Sequence, residues 1–383
     1  MSVTFPAGFR AAGVTAGLKL SGAADVALVV NDGPLYSAAG VFTTNRVEAA
    51  PVTWSRGVIG DGRAVAVVLN SGCANACTGA RGARDARMTA EHLSERLGCS
   101  TNDVIVCSTG LIGEELPMPT LLRGVDNAVR SLGVEGGDSA AEAIMTTDTV
   151  PKQAYRVRGG WSVGGMAKGA GMLAPGLATM LVVLTTDAVV GPEELSRVLR
   201  EATRRTFERI DSDGCMSTND TVVLLASGAS GVVPSESELR GMVSEVCSDL
   251  ARQLIADAEG ARHDIAITVA GAVSEEDAVE VARAVARSNL FKCAVFGGDP
   301  NWGRIVAEVG TTRASFDPAD LDVTVNGVRV CRGCAPGEDR SEVDMSPRET
   351  RVLIGLGAGT EEATVWTNDL THDYIHENSA YST

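Results

Sequence analysis

The chain has 383 residues, 44% of them hydrophobic and 21% charged, with 43 glycines and a formal net charge of -16. That length exceeds what one hydrophobic core usually organises, so two or three packed units are expected, and a mean hydropathy of +0.09 suits an ordinary globular protein. The acidic balance, with a pI near 4.8, argues against nucleic acid as a partner, and no apolar run approaches the roughly twenty residues of a membrane span.

The opening MSVTFPAGFRAAG has no basic segment followed by an apolar one, so the expected compartment is the cytoplasm. Short apolar runs follow at DVALVV (25–30), AVAVVL (64–69), DVIVC (103–107), TMLVVL (179–184), TVVLLA (221–226) and DIAITVAG (264–271), each predicted as a strand buried on both faces. Helical stripes lie between them. Ala86, Ala90, Leu93 and Leu97 end at Gly98, and Leu195, Val198, Leu199 and Ala202 form a second stripe. The longest predicted helix opens on a capping box at Ser235–Glu238, repeats Leu239, Met242, Val243, Val246, Leu250 and Leu254, and stops at Gly260. Strands mixed with helices and no internal repeat predict a layered α/β or α+β protein. Only weak composition shifts, near 190 and 280, suggest domain boundaries.

Nine cysteines form an odd set spread over the chain and read as reduced thiols. Cys331 and Cys334 make the only C-x-x-C, with no second pair or histidine near them in sequence, so no metal site is expected. Two stretches imitate nucleotide-binding loops. GLGAG (355–359) leads into the strand-like ATVWTNDL, where a pyrophosphate would need a helix N-terminus, and GGMAKGAG (164–171) lacks GK[ST]. No cofactor is expected.

The second stretch carries Lys168, one of only four lysines among 33 cationic residues. Set among glycines and alanines, it reads either as a solvent-facing lysine or as a cation placed to meet a carboxylate. Just beyond, Thr179 sits at the mouth of a predicted strand. A threonine hydroxyl is a poor nucleophile, no histidine lies nearby in sequence, and most strand threonines are structural. Cutting the Ala178–Thr179 bond would change that, because the freed α-amine, with an ordinary pKa of about 7.7 to 8.0, is a general base attached to the nucleophile. Ala178 is small enough to permit such a cut.

Eight segments together resemble the ornithine acetyltransferase family of arginine biosynthesis, also called glutamate N-acetyltransferase. They are NSGCANACTG (70–79), CSTGLIGEELPM (107–118), AIMTTDTVPKQ (143–153), GMAKGAGMLAPGLATML (165–181), DGCMSTNDTV (213–222), DAEGA (257–261), DPNWGRI (299–305) and HENSAYST (376–383). The resemblance implies an α/β/β/α sandwich with a smaller C-terminal α/β domain, and self-cleavage between Ala178 and Thr179. Residues 1–178 would form an α chain within the sandwich, 179–280 the first part of a β chain completing it, and 281–383 the smaller domain, its tail returning to the active site. Two α and two β chains would assemble.

By the same resemblance Thr179 is the nucleophile and carries the acetyl group, and Thr109 and Gly110 form the oxyanion hole. Taken alone, STG (108–110) reads as an ordinary turn after DVIVC. Thr146, Lys168, Thr179, Glu259, Asn378 and Thr383 would contact the substrates, N-acetylornithine and glutamate. Glu259, read as closing the long helix, would place a carboxylate at the negative end of the helix dipole, which suggests a cationic partner such as an amine. On composition alone the tail reads as frayed. An aminopeptidase or amidase on the same self-cleaving scaffold and a non-catalytic binding protein are the rival functions. Whether acetyl-CoA also serves as donor is left open, and the turn Ser217–Asp220 receives no chemical role.

Overall fold

A computed structural model of the chain describes residues 2–174 and 180–380. They fall into two compact units: the first takes the described residues up to Glu208 together with Cys215–Asp257, and the second takes Arg209–Gly214 and the described residues from Ala258 onward. The composition shift near 280 marks no boundary, since that position lies inside a helix of the second unit. Strands and helices alternate on both sides of it, so composition does not change where the packing does.

In chain order the first unit holds β1 (Phe9–Val14), β2 (Val26–Asn31), β3 (Ser37–Phe42), α1 (Ala50–Val58), β4 (Ala66–Cys73), α2 (Gly79–Leu97), β5 (Val104–Leu111), α3 (Met118–Arg130), α4 (Gly137–Ala143), β6 (Lys152–Arg158), β7 (Trp161–Lys168), β8 (Leu181–Thr186), α5 (Pro192–Arg205), β9 (Thr221–Ala226) and α6 (Glu236–Ala256). Two sheets form, in the orders β1-β2-β4-β5 and β3-β9-β8-β7-β6. Pairings are antiparallel except β4 with β5 and β8 with β9. Alternate residues of each strand in the first sheet face opposite layers. Ala27, Val29, Val67, Leu69 and Ile105 pack against Met166, Leu181, Val183, Val223 and Leu225 of the second sheet. Val26, Leu28, Val68 and Val106 face Ala90 and Leu93 of α2 and Leu121 and Val125 of α3. Helices α5 and α6 cover the far side of the second sheet. The result is the expected α/β/β/α sandwich, and its inner strands read as unbroken apolar runs because neither face meets water.

The predicted helices appear with small changes of length. Helix α2 ends on Gly98 in the left-handed region, and the Ser235–Glu238 capping box opens α6. Helix α6, however, ends at Ala256 rather than running to Gly260, so Glu259 lies beyond the helix and does not face its dipole.

The second unit contains β10 (Asp264–Ala272), α7 (Glu275–Ala286), α8 (Asn289–Phe296), α9 (Trp302–Val309), β11 (Asp322–Val325), β12 (Val328–Arg332), β13 (Ala335–Pro336), β14 (Glu349–Gly355), β15 (Glu361–Asn368) and α10 (His372–Ala380). Its sheet runs β13-β12-β11-β14-β10-β15, and α7 packs on β10 and β15. Strand β10 alternates buried Ile265, Ile267 and Val269 with half-exposed Ala266 and Thr268, so the expectation that 264–271 is buried on both faces is overturned. Only one face of this sheet is fully covered, and alanine and threonine on the other were apolar enough to mask the alternation. Among the described residues no helix is long and apolar enough to cross a membrane.

Candidate active site

Within the first unit the C-terminal ends of β4 and β5 lie beside the C-terminal end of β7. Lys168, the last residue of β7, donates from Nζ to Thr109 Oγ1 at 3.1 Å, and both residues are 1% exposed. That burial rules out the solvent-facing reading of Lys168. The hydroxyl accepts from the ammonium, which leaves its own hydrogen available to donate elsewhere. In the β7–β8 register Lys168 stands opposite Leu181, so Met180 lies one step past the lysine.

The backbone beside Thr109 is fixed by close approach. Gly110 has φ +125°, and a Cβ there would sit 2.4 Å from Gly72 C and 2.6 Å from Cys73 N. Only glycine fits this crossing with β4, and STG lies inside β5 rather than forming an ordinary turn after it, because Ser108, Thr109 and Gly110 continue the pairing with β4. Hydrogen bonds lock the surrounding loops. Ser108 Oγ donates to Asn70 Oδ1 at 2.6 Å, and Asn219 Nδ2 donates to the carbonyls of Ala74 and Ser108 at 2.6 and 2.8 Å.

Asp148 organises the other side of Lys168. Its Oδ1 accepts from Lys152 Nζ and from the Gly169 N–H, each at 2.6 Å, and its Oδ2 accepts the Thr146 N–H at 2.9 Å. Lys152 is fully buried and also donates to Asp257 Oδ2 at 2.5 Å. Burial pushes the Asp148 carboxyl up, but the charges of Lys168 and Lys152 and the Gly169 N–H outweigh it and hold the group below its ordinary value. Asp220, immediately before β9, behaves oppositely. Burial drives its carboxyl well above the ordinary range, and the Met180 N–H and the Lys168 charge offset only part of that. The Lys168 charge thus favours the ionised form of both carboxyls, and burial outweighs the opposing causes only at Asp220.

The second unit carries Glu259 and Asn378. Gly260 adopts φ +61°, and a Cβ there would lie 2.2 Å from Tyr374 N, so the DAEGA segment can run directly against the first turn of α10. Thr371 Oγ1 donates to the Gly260 carbonyl at 2.7 Å and accepts the Tyr374 N–H at 3.0 Å. This brings Asn378 Nδ2 to 2.9 Å from Glu259 Oε2. Burial first, then the charge of Glu259, raises the neighbouring Glu377 carboxyl. Glu259, Asp213, Arg287, Lys292, Asp369 and Tyr374 are among the residues that line a cleft of about 420 Å3, so carboxylates and cations share its wall. A larger cleft, of about 750 Å3 beside Trp54 and Cys77 in the first unit, holds none of the predicted residues.

The structure thus brings Thr109, Gly110 and Lys168 together, ties the half-buried Thr146 to them through Asp148, and pairs Glu259 with Asn378. Ala178, Thr179 and Thr383 lie outside the described residues. From sequence Asp148 and Lys152 carry no assigned role, and Asn219 and Asp220 appear only within a turn given no chemical role; all four stand inside the family-like segments, but their partners are 40 to 145 residues away in several cases. Among the described residues no cluster of three or more His, Cys, Asp or Glu side chains is arranged to hold a metal ion.

A family model described as the ArgJ family matches residues 10–383. The chain belongs to the ArgJ family. A protein of Thermobifida fusca named arginine biosynthesis bifunctional protein ArgJ is 63% identical over 383 residues, with all of both chains covered. A protein of the same name from Streptomyces avermitilis is 60% identical over 382 residues, again across the full length of both. Among solved structures, a chain of the Mycobacterium tuberculosis ornithine acetyltransferase complexed with ornithine is 56% identical, covering 47% of this chain and 96% of its own at a TM-score of 0.45.

Proposed function

We propose that this ArgJ-family chain is an acetyltransferase of arginine biosynthesis that moves the acetyl group of N2-acetyl-L-ornithine to L-glutamate. The chain cuts itself between Ala178 and Thr179: Thr179 Oγ attacks the Ala178 carbonyl, the amide C–N bond breaks as an ester forms, and one water hydrolyses that ester to leave the Ala178 carboxylate and the free Thr179 α-amine and hydroxyl. Thr179 Oγ then attacks the acetyl carbonyl while its freed α-amine takes the hydroxyl proton. The C–N bond to ornithine breaks, the proton passes to the departing amine, and an acetyl-threonyl ester remains. Glutamate's amine attacks that ester, giving N-acetylglutamate and restoring the hydroxyl. We extend the proposal to acetyl-CoA as a second acetyl donor, to the cytoplasm as the compartment, and to an assembly of two α and two β chains.

The observation that carries this reading is the buried Lys168–Thr109 contact. A hydroxyl that accepts from an ammonium and keeps its own hydrogen free is a preorganised donor for a tetrahedral oxyanion, a contribution worth roughly 3 to 4 kcal/mol of barrier. Gly110, the next residue, is held against β4, and its backbone N–H is the second donor in this proposal. Lys168 adds positive charge there. In the second unit the Glu259–Asn378 pair offers an acidic and a polar contact of the kind an amine takes, and the family resemblance is what assigns that amine to ornithine.

Expression of the one-chain precursor tests the reading. Denaturing electrophoresis should show two fragments, and Thr179→Ala should give a single uncut band without activity. Two bands from that variant would remove the mechanism. Release of free acetate in place of N-acetylglutamate would instead point to an amidase.

A further inference from the structure

Asp220 has no role in the mechanism above. It is completely buried, and its Oδ1 accepts the Met180 N–H at 3.0 Å. The next residue, Thr221, donates its own N–H to the Met180 carbonyl at 3.2 Å and stands opposite Leu181 in the β8–β9 register. Two consecutive residues at the entry to β9 therefore grip both backbone polar groups of Met180. The sheet ladders hold β8 from Leu181 onward, so the carboxyl's grip falls one residue before the ladder, on the side of the bond to be cut. Burial favours the neutral acid here, which leaves Oδ1 as a carbonyl-like acceptor.

We propose that Asp220 is a positioning residue for self-cleavage at 178–179, fixing the main chain one residue from the attacking threonine by accepting the Met180 N–H. The proposal rests on the self-cleavage reading above. Its physical basis is that displacement of a reacting group by about 1 Å can cost about a hundredfold in rate.

Three variants of the full-length precursor test it. Asp220→Ala removes the acceptor, Asp220→Leu removes it while filling the volume, and Asp220→Asn keeps a carbonyl oxygen in place. Each is followed by denaturing electrophoresis over time, with a thermal melt as the check on folding. Asp220→Ala and Asp220→Leu should cut about a hundredfold more slowly than wild type. Asp220→Asn should stay within a few fold of wild type. Wild-type cutting rates in Asp220→Leu, or Asp220→Asn as slow as Asp220→Leu with a normal melt, would overturn the role. If Asp220→Ala fails to melt cooperatively, the comparison rests on the other two. A wild-type precursor that stays whole defeats the self-cleavage reading itself, whereas a cut wild type and an equally fast Asp220→Leu defeat only the role of Asp220.

Discussion

The Thr109–Lys168 cluster of the first unit and the Glu259–Asn378 pair of the second are built on opposite lines. Around Lys168 the side chains of Thr109, Asp148 and Lys152 are buried and hydrogen-bonded to one another or to their neighbours: Asp148 alone accepts three hydrogen bonds, and Lys152 bridges two carboxylates. Glu259 and Asn378 share one hydrogen bond, with Asn378 exposed on α10. The first arrangement suits electrostatic work, because buried dipoles and charges act strongly and need no reorganisation at the moment of reaction. The second suits ligand choice, since an exposed pair can exchange its partner for a substrate group at little cost.

Substitutions should separate the two. The largest effect is expected from Lys152→Met, which leaves Asp148 and Asp257 buried without their shared cation; loss of one partner of a buried pair costs about 3 to 5 kcal/mol, read as a lower denaturant midpoint. Next comes Thr109→Val. It removes the hydroxyl but keeps the β-branched shape, so kcat should fall by about 10²- to 10³-fold while the melting temperature changes little. A normal kcat in that variant would dissolve the contrast between the regions.

Acid provides a third test. Asp148 is held below its ordinary value of about 3.9, so its ionised form contributes stability that is complete above that pH and is lost as pH falls through the folded-state value. Because Lys152 is one of the charges responsible, Lys152→Met should begin its acid unfolding at a higher pH than wild type. The smallest change belongs to Glu259→Gln. Stability should move by no more than about 0.5 kcal/mol, as for most surface substitutions, while KM for the amine substrate rises about tenfold with kcat nearly constant. A loss of kcat without a change in KM would place Glu259 among the groups that act on the transition state.

How far the sequence could be read follows from the same physics. Strands β2, β4, β5 and β9 were visible because burial on both faces demands continuous apolar residues. Strand β7, WSVGGMAK, was not predicted as a strand: Gly164 and Gly165 replace apolar side chains where Ser2 and Leu184 approach too closely for a Cβ. From the letters alone its end therefore reads as a glycine-rich loop, and Lys168 as a cation among residues too small to reach it. Lys168 meets Thr109 across 59 residues of chain, a contact no local spacing encodes. Glu259 was misplaced for a different reason. The apolar stripe of α6 continues to Leu254, and nothing in the letters before Gly260 marks the stop at Ala256. Asp148 and Asp220 lay in segments already matched to the family, yet two aspartates in polar turns look alike until burial and partners set one below and the other above the ordinary range.

The order β3-β9-β8-β7-β6 has a consequence for a chain broken at 178–179. Strands β8 and β9 would then belong to the C-terminal fragment, and both of their outer neighbours, β3 and β7, to the N-terminal one. The daughter polypeptides would be woven into a single sheet and could separate only by dissolving it. Heating such a molecule would be a one-way event, because two separate chains must find each other again and no peptide bond is left to keep them close.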